Sequence, residues 1–119
     1  MYPLHKNDTG SFQELAHSSD VKFGQLSMLK VNIGGIRGGH YHKRKEEWFC
    51  CIRGRCQMDI VKDGTTRSII LDGDKSEFVL ISPYEKHTVV NAGCLQVCEL
   101  LIIASEDYKP EDSDTFKEQ

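Results

Sequence analysis

His40 and His42 flank a single tyrosine, Glu47 follows shortly after them, and His87 lies further down the chain. Imidazole nitrogens and a carboxylate oxygen are the donors that divalent transition metals take. An imidazole left out of such a set is a general base near neutral pH. On an extended strand successive side chains alternate faces, so His40 and His42 point one way and Tyr41 the other. If Glu47 and His87 reach the same interior surface, the four side chains His40, His42, Glu47 and His87 form a nitrogen- and oxygen-donor metal site.

Strands must position them. Residues 25–33 alternate toward their C-terminal end, with Leu29, Val31 and Ile33 on one face and Met28, Lys30 and Asn32 on the other. Further strands are expected over residues 11–15, 47–52, 57–62, 67–71, 78–82, 87–91 and 94–104. Asp63-Gly64 is a two-residue hairpin signal, and Gly34, Gly35, Gly38 and Gly39 punctuate the approach to the histidines. No long segment has helical periodicity. Seven or eight short strands separated by Gly, Asp and Asn turns argue for an antiparallel sandwich or barrel.

The chain has 119 residues, of which 39% are hydrophobic, which suits one domain with an ordinary core. The expected division is a single domain over 1–119, with its core at about 10–104 and an acidic C-terminal extension at 105–119, either hugging the surface or frayed. A net charge of −3 leaves no basic surplus for nucleic acid. No apolar run approaches the roughly 20 residues of a membrane span. The N-terminus does not read as a secretory signal, and the chain reads as a complete small protein. Five cysteines, an odd number without a CxxC pair, read as apolar core thiols in a reducing compartment, so the expected location is cytoplasmic.

The spacing from Gly34 through His40, His42 and Glu47 to Gly54 matches the first cupin motif, G(x)5HxH(x)3-4E(x)6G, at every defined position. His87 and Asn91 match part of the second motif, although Ser82 and Tyr84 stand where it has proline and glycine. The chain therefore resembles the cupin superfamily over roughly residues 10–116. This implies an all-β, single-domain cupin, a double-stranded β-helix or jelly-roll barrel. Arg37-Gly38-Gly39-His40 resembles the RGxH signature of dTDP-sugar epimerases and the RGGHxHK of dTDP-4-keto-6-deoxyhexose 3,4-ketoisomerases. The stretch GHYHKRKEEWF, the opening TGSFQEL and the tail ASEDYKPEDSDTF are similar to the C-terminal cupin domain of the capsular-polysaccharide UDP-sugar epimerase-reductase.

These resemblances imply an isomerase, an epimerase or ketoisomerase moving a proton beside the ketone of a nucleotide-linked 4-keto-6-deoxy sugar in surface-polysaccharide biosynthesis. The implied cofactor is a divalent metal, Zn²⁺ first, with Mn²⁺, Ni²⁺ or Fe²⁺ as alternatives. The implied ligands are His40, His42, Glu47 and His87, and the implied catalytic residues are His40, Arg37 and His87. A histidine held by metal cannot also be the base, so for His40 the two roles exclude each other. Lys30, Tyr41, Lys45 and Tyr84 are then the nearby alternatives in sequence. Arg37 suits a diphosphate through its forked donors. The run Lys43-Arg44-Lys45 reads as a solvated turn, or as a lure for an anionic substrate. Competing readings are an Fe²⁺ cupin dioxygenase acting on a small molecule and a non-catalytic sugar-binding module. A homodimer is expected from the same resemblance, since small cupins hide exposed sheet edges by pairing.

Overall fold

The computed structural model describes residues 1–92 and 95–117. In chain order the strands are β1 (Leu4–Asn7), β2 (Gly10–Gln13), β3 (Gln25–Val31), β4 (Ile36–His40) and β5 (Glu47–Arg53). They continue with β6 (Arg55–Lys62), β7 (Thr65–Asp72), β8 (Val79–Ile81), β9 (Lys86–Val90) and β10 (Cys98–Ala104). Among the described residues there is no α-helix, only two short 3₁₀ turns. None of the described helical turns is long and apolar enough to cross a membrane.

β6 shows how the sequence builds the barrel. Cys56, Met58 and Ile60 are buried while the residues between them are more exposed, as a strand with one interior face requires. Two antiparallel four-stranded sheets result, in the orders β3-β10-β5-β8 and β4-β9-β6-β7. Their inner faces share one core in which Val31, Phe49, Leu100 and Ile81 of the first sheet meet Met58, Ile60, Leu71 and Val89 of the second. Burying each such side chain contributes about 1.5–3 kcal/mol. Asp63 and Gly64, both at positive φ (51° and 75°), close the β6–β7 hairpin as their types predict.

Some expected boundaries move. Ile33 lies outside β3 and is exposed. The expected strand over 94–104 begins at Cys98; Cys94 lies outside the described residues. β1 and β4 are strands that their composition did not announce. Residues 105–117 lie along the barrel: Phe116 and Tyr41 exchange backbone hydrogen bonds of 2.9 and 3.0 Å.

Candidate active site

The second sheet brings two of the histidines together. β4 pairs with β9, and a bulge between Gly38 and His40 sets His40 opposite His87. Gly38 makes that approach possible. Its φ is +103°, and a Cβ there would sit 2.8 Å from the His87 carbonyl oxygen. Tyr41 then bridges to Phe116, and His42 turns inward beyond it. Glu47 opens β5 in the first sheet, where Ile81 and Ala104 are its neighbours.

His42, Glu47 and His87 offer donor atoms that all lie within 4.8 Å of one another. His42 Nε2 is 2.8 Å from Glu47 Oε1, and His87 Nε2 is 3.2 Å from the same oxygen. His40 is not among these three. Of the four donors expected together, the structure gathers three.

The other ring nitrogens fix the tautomers. His42 Nδ1–H donates to the Asp114 carbonyl at 2.7 Å, and His87 Nδ1–H donates to the Glu85 carbonyl at 3.0 Å. A carbonyl only accepts, so each Nδ1 carries the hydrogen. In neutral rings both Nε2 lone pairs then face a carboxylate oxygen. That arrangement calls for positive charge between them: a proton on a ring or a cation. Burial pushes the Glu47 carboxyl up, but hydrogen bonds from His42 and His87, with the charge on those rings, outweigh it and hold it at about 2. Two imidazole nitrogens and an ionised carboxylate converging in this way fit a divalent ion. The rings of His42 and His87 lie 5.3 Å apart, and Phe49 meets His87 edge-on at 5.4 Å.

These groups line a cavity of about 440 Å³, walled on its apolar side by Phe49, Val89 and Ile102. His40 and Arg37 also line it. Burial pulls the His40 pKa below the usual imidazole value, and the nearby His87, Lys117 and His42 add to this while Glu47 opposes it. Of the four alternatives named for proton transfer, only Lys45 lines the cavity. Lys30 pairs with Glu99 on the surface at 3.6 Å. Tyr41 stacks outside the cavity on Tyr84 and Phe116.

In the run Lys43-Arg44-Lys45 the first two residues form an exposed bend, as expected, but the third turns inward. Lys45 is 6% exposed, with Nζ reaching the Ser113 carbonyl at 3.5 Å. Arg44 bonds Glu106 at 2.7 Å and Asp112 at 3.1 Å. The amides of Lys43, Arg44 and Lys45 donate to the Asp114 carboxylate at 3.0, 3.2 and 3.0 Å. Asp114, Tyr108 and Thr115 were not singled out in the sequence. Their only advance signal was the acidic tail and its closing Asp-Thr-Phe.

Two antiparallel four-stranded sheets on one core, with this donor group drawn from both, make a cupin-type fold. The chain belongs to the family described as the polysaccharide biosynthesis C-terminal domain, whose model matches residues 5–116. A UDP-2-acetamido-2,6-beta-L-arabino-hexul-4-ose reductase from Pseudomonas aeruginosa is 31% identical over 116 residues, covering 96% of this chain. The chain spans only 30% of that relative's length. The capsular polysaccharide assembling protein CapF from Staphylococcus aureus superposes with a TM-score of 0.74 at 27% identity, over 98% of this chain and 32% of CapF. QdtA, a sugar 3,4-ketoisomerase from Thermoanaerobacterium thermosaccharolyticum solved with TDP, has a TM-score of 0.82 at 18% identity. That match covers 98% of this chain and 84% of QdtA, and it shows a shared fold.

Proposed function

We propose that this chain epimerises or isomerises a nucleotide-linked 4-keto-6-deoxy sugar by moving a proton at the carbon beside the ketone, in surface-polysaccharide biosynthesis. One observation carries the reading: His40 shares the cavity with the His42–Glu47–His87 group but does not belong to it. This supports a reading in which the base and the polarising group are different residues, with His40 as the base. His40 removes the proton α to the carbonyl. The electron pair moves onto the carbonyl oxygen, and reprotonation at the same carbon from the other face inverts the centre; alternatively the enolate oxygen takes the proton of the neighbouring hydroxyl, and protonation at the former carbonyl carbon shifts the ketone. No oxidant or reductant is consumed. Lys45, which shares the wall with Tyr108, is the proposed acid.

His42, Glu47 and His87 would hold a divalent ion, Zn²⁺ first, with Mn²⁺, Ni²⁺ and Fe²⁺ as alternatives. Bound there, such an ion supplies a Lewis acid for the ketone oxygen. Arg37 takes the diphosphate through its forked donors. The ketone in the name of the Pseudomonas relative's substrate and the TDP bound to QdtA support a nucleotide-sugar substrate. Free thiols at Cys50, Cys51 and Cys56 support a reducing, cytoplasmic setting. Exposed Leu26 and Met28 on the edge strand β3 support a homodimer.

The test is deuterium. In D2O the protein should place deuterium at C3 or C5 of a UDP- or dTDP-linked 4-keto-6-deoxy sugar, read by mass spectrometry. Iron-dependent oxygen uptake without exchange would favour the oxygenase reading instead, and sugar binding without exchange would favour a binding module.

A further inference from the structure

The carbonyl that orients His42 comes from the far end of the chain. We propose that Asp114 is a positioning residue for His42: it locks the ring in the Nδ1–H form and so aims Nε2 at Glu47. This inference rests on the proposed role of the His42–Glu47–His87 group.

Four hydrogen bonds carry it. The backbone oxygen of Asp114 accepts from His42 Nδ1 at 2.7 Å. Its carboxylate accepts from the amides of Lys43, Arg44 and Lys45, the residues that join His42 to Glu47. One residue thus grips both the ring and the loop that follows it. Asp114 is 4% exposed and sits at a φ of +50°, a left-handed conformation that costs an L residue energy and persists where the surroundings impose it. His87 is held by the same device, a carbonyl on Nδ1, but its carbonyl is that of Glu85, two residues away. A local partner forms with the strand itself. A distant one forms only when the tail is docked, so the orientation of His42 depends on the carboxylate anchor. A ring whose Nδ1 partner is lost is free to rotate and to carry its proton on Nε2, which removes a lone pair from the donor group.

The experiment uses the full chain labelled with ¹⁵N-histidine and freed of metal. Two-bond proton–nitrogen correlations report the tautomer of each ring, and loss of a signal set in His42→Gln assigns that residue. Asp114→Gly keeps the left-handed backbone and removes the anchor. Asp114→Asn keeps an acceptor oxygen but not the charge. The neutral His42 ring is expected to be entirely Nδ1–H in the unaltered protein, mixed in Asp114→Gly and shifted part of the way in Asp114→Asn, which keeps one of the two acceptor oxygens, with His87 unchanged throughout. Co²⁺, followed by its visible absorption, should bind Asp114→Gly about 10- to 100-fold more weakly.

A folded Asp114→Gly protein with His42 still entirely Nδ1–H and Co²⁺ affinity unchanged would overturn the proposal, leaving Asp114 as an anchor for the tail alone. If Asp114→Gly does not fold, a shift of the His42 tautomer in Asp114→Asn supports the proposal, and no change in tautomer or Co²⁺ affinity counts against it. Failure of the unaltered protein to bind Co²⁺ would count against the metal reading, while the tautomer measurement would still decide the role of Asp114.

Discussion

His40 and His87 face each other across the β4–β9 pair, and only His87 reaches Glu47. Directly opposed residues on antiparallel strands have Cβ atoms about 4.5–5.5 Å apart, so the two rings share one cavity. The division of labour proposed above follows from this pairing. His40→Gln should lower deuterium exchange into the keto sugar by about 10²–10⁴-fold, the usual worth of a positioned base. Metal content, measured by elemental analysis, should stay the same. Loss of metal together with exchange would return His40 to the donor set.

Glu47 is the one anion between two imidazoles, and Gln is close to it in shape. Glu47→Gln should weaken Co²⁺ binding by more than the roughly 10- to 100-fold typical of outer-shell partners. Exchange should fall with it. A dialysed sample titrated with Co²⁺ reads the first, and mass spectrometry reads the second. Native Co²⁺ affinity in this variant would remove Glu47 from the metal site.

Arg37 lies on the cavity wall. Arg37→Lys keeps the charge but loses the fork. KM for the nucleotide sugar should rise roughly 10- to 100-fold with kcat little changed, the signature of lost ground-state binding. A fall in kcat at constant KM would assign Arg37 to the chemistry instead.

Gly38→Ala introduces a Cβ that would meet the His87 carbonyl oxygen at 2.8 Å, at a backbone φ of +103°. The expected loss is about 1–3 kcal/mol of stability, read by urea unfolding. Because the carbonyl belongs to His87, exchange activity should fall further than stability alone explains. An unaltered midpoint would mean that the bulge relaxes freely.

Burial raises the Asp114 carboxyl, but the amides of Lys45, Lys43 and Arg44, helped by the Arg44 charge, hold it below the usual carboxylate value. A pKa depressed in the folded state adds stability above the unfolded value, near 3.9, and that stability is lost as pH falls through the folded one. Asp114→Asn should therefore melt below the unaltered protein at neutral pH. The gap between the two melting temperatures should close as the pH drops below about 3.9. A gap independent of pH would show that the carboxylate charge does not matter.

Much of this was readable in advance. Alternation gave the course of β3, and Asp63-Gly64 gave the β6–β7 hairpin, because both are local consequences of residue type. His42, Glu47 and His87 were found through motif spacing. Spacing did not separate His40 from the other three: the structure sets it opposite His87 past a bulge, in the same cavity but outside the close donor group. Lys45 was read as solvated because lysine usually is. Its burial depends on a tail that crosses it, and a hydrogen bond from Asp114 to the amides of residues 43–45 leaves no local pattern in either segment.

That tail has a consequence for synthesis. Both sheets are complete once β10 has left the ribosome, yet the carbonyl that orients His42 belongs to Asp114 and emerges later. A nascent chain halted just short of it would own all three donors and a closed barrel, with one ring still unaligned. The scaffold can thus assemble before the His42–Glu47–His87 group is complete.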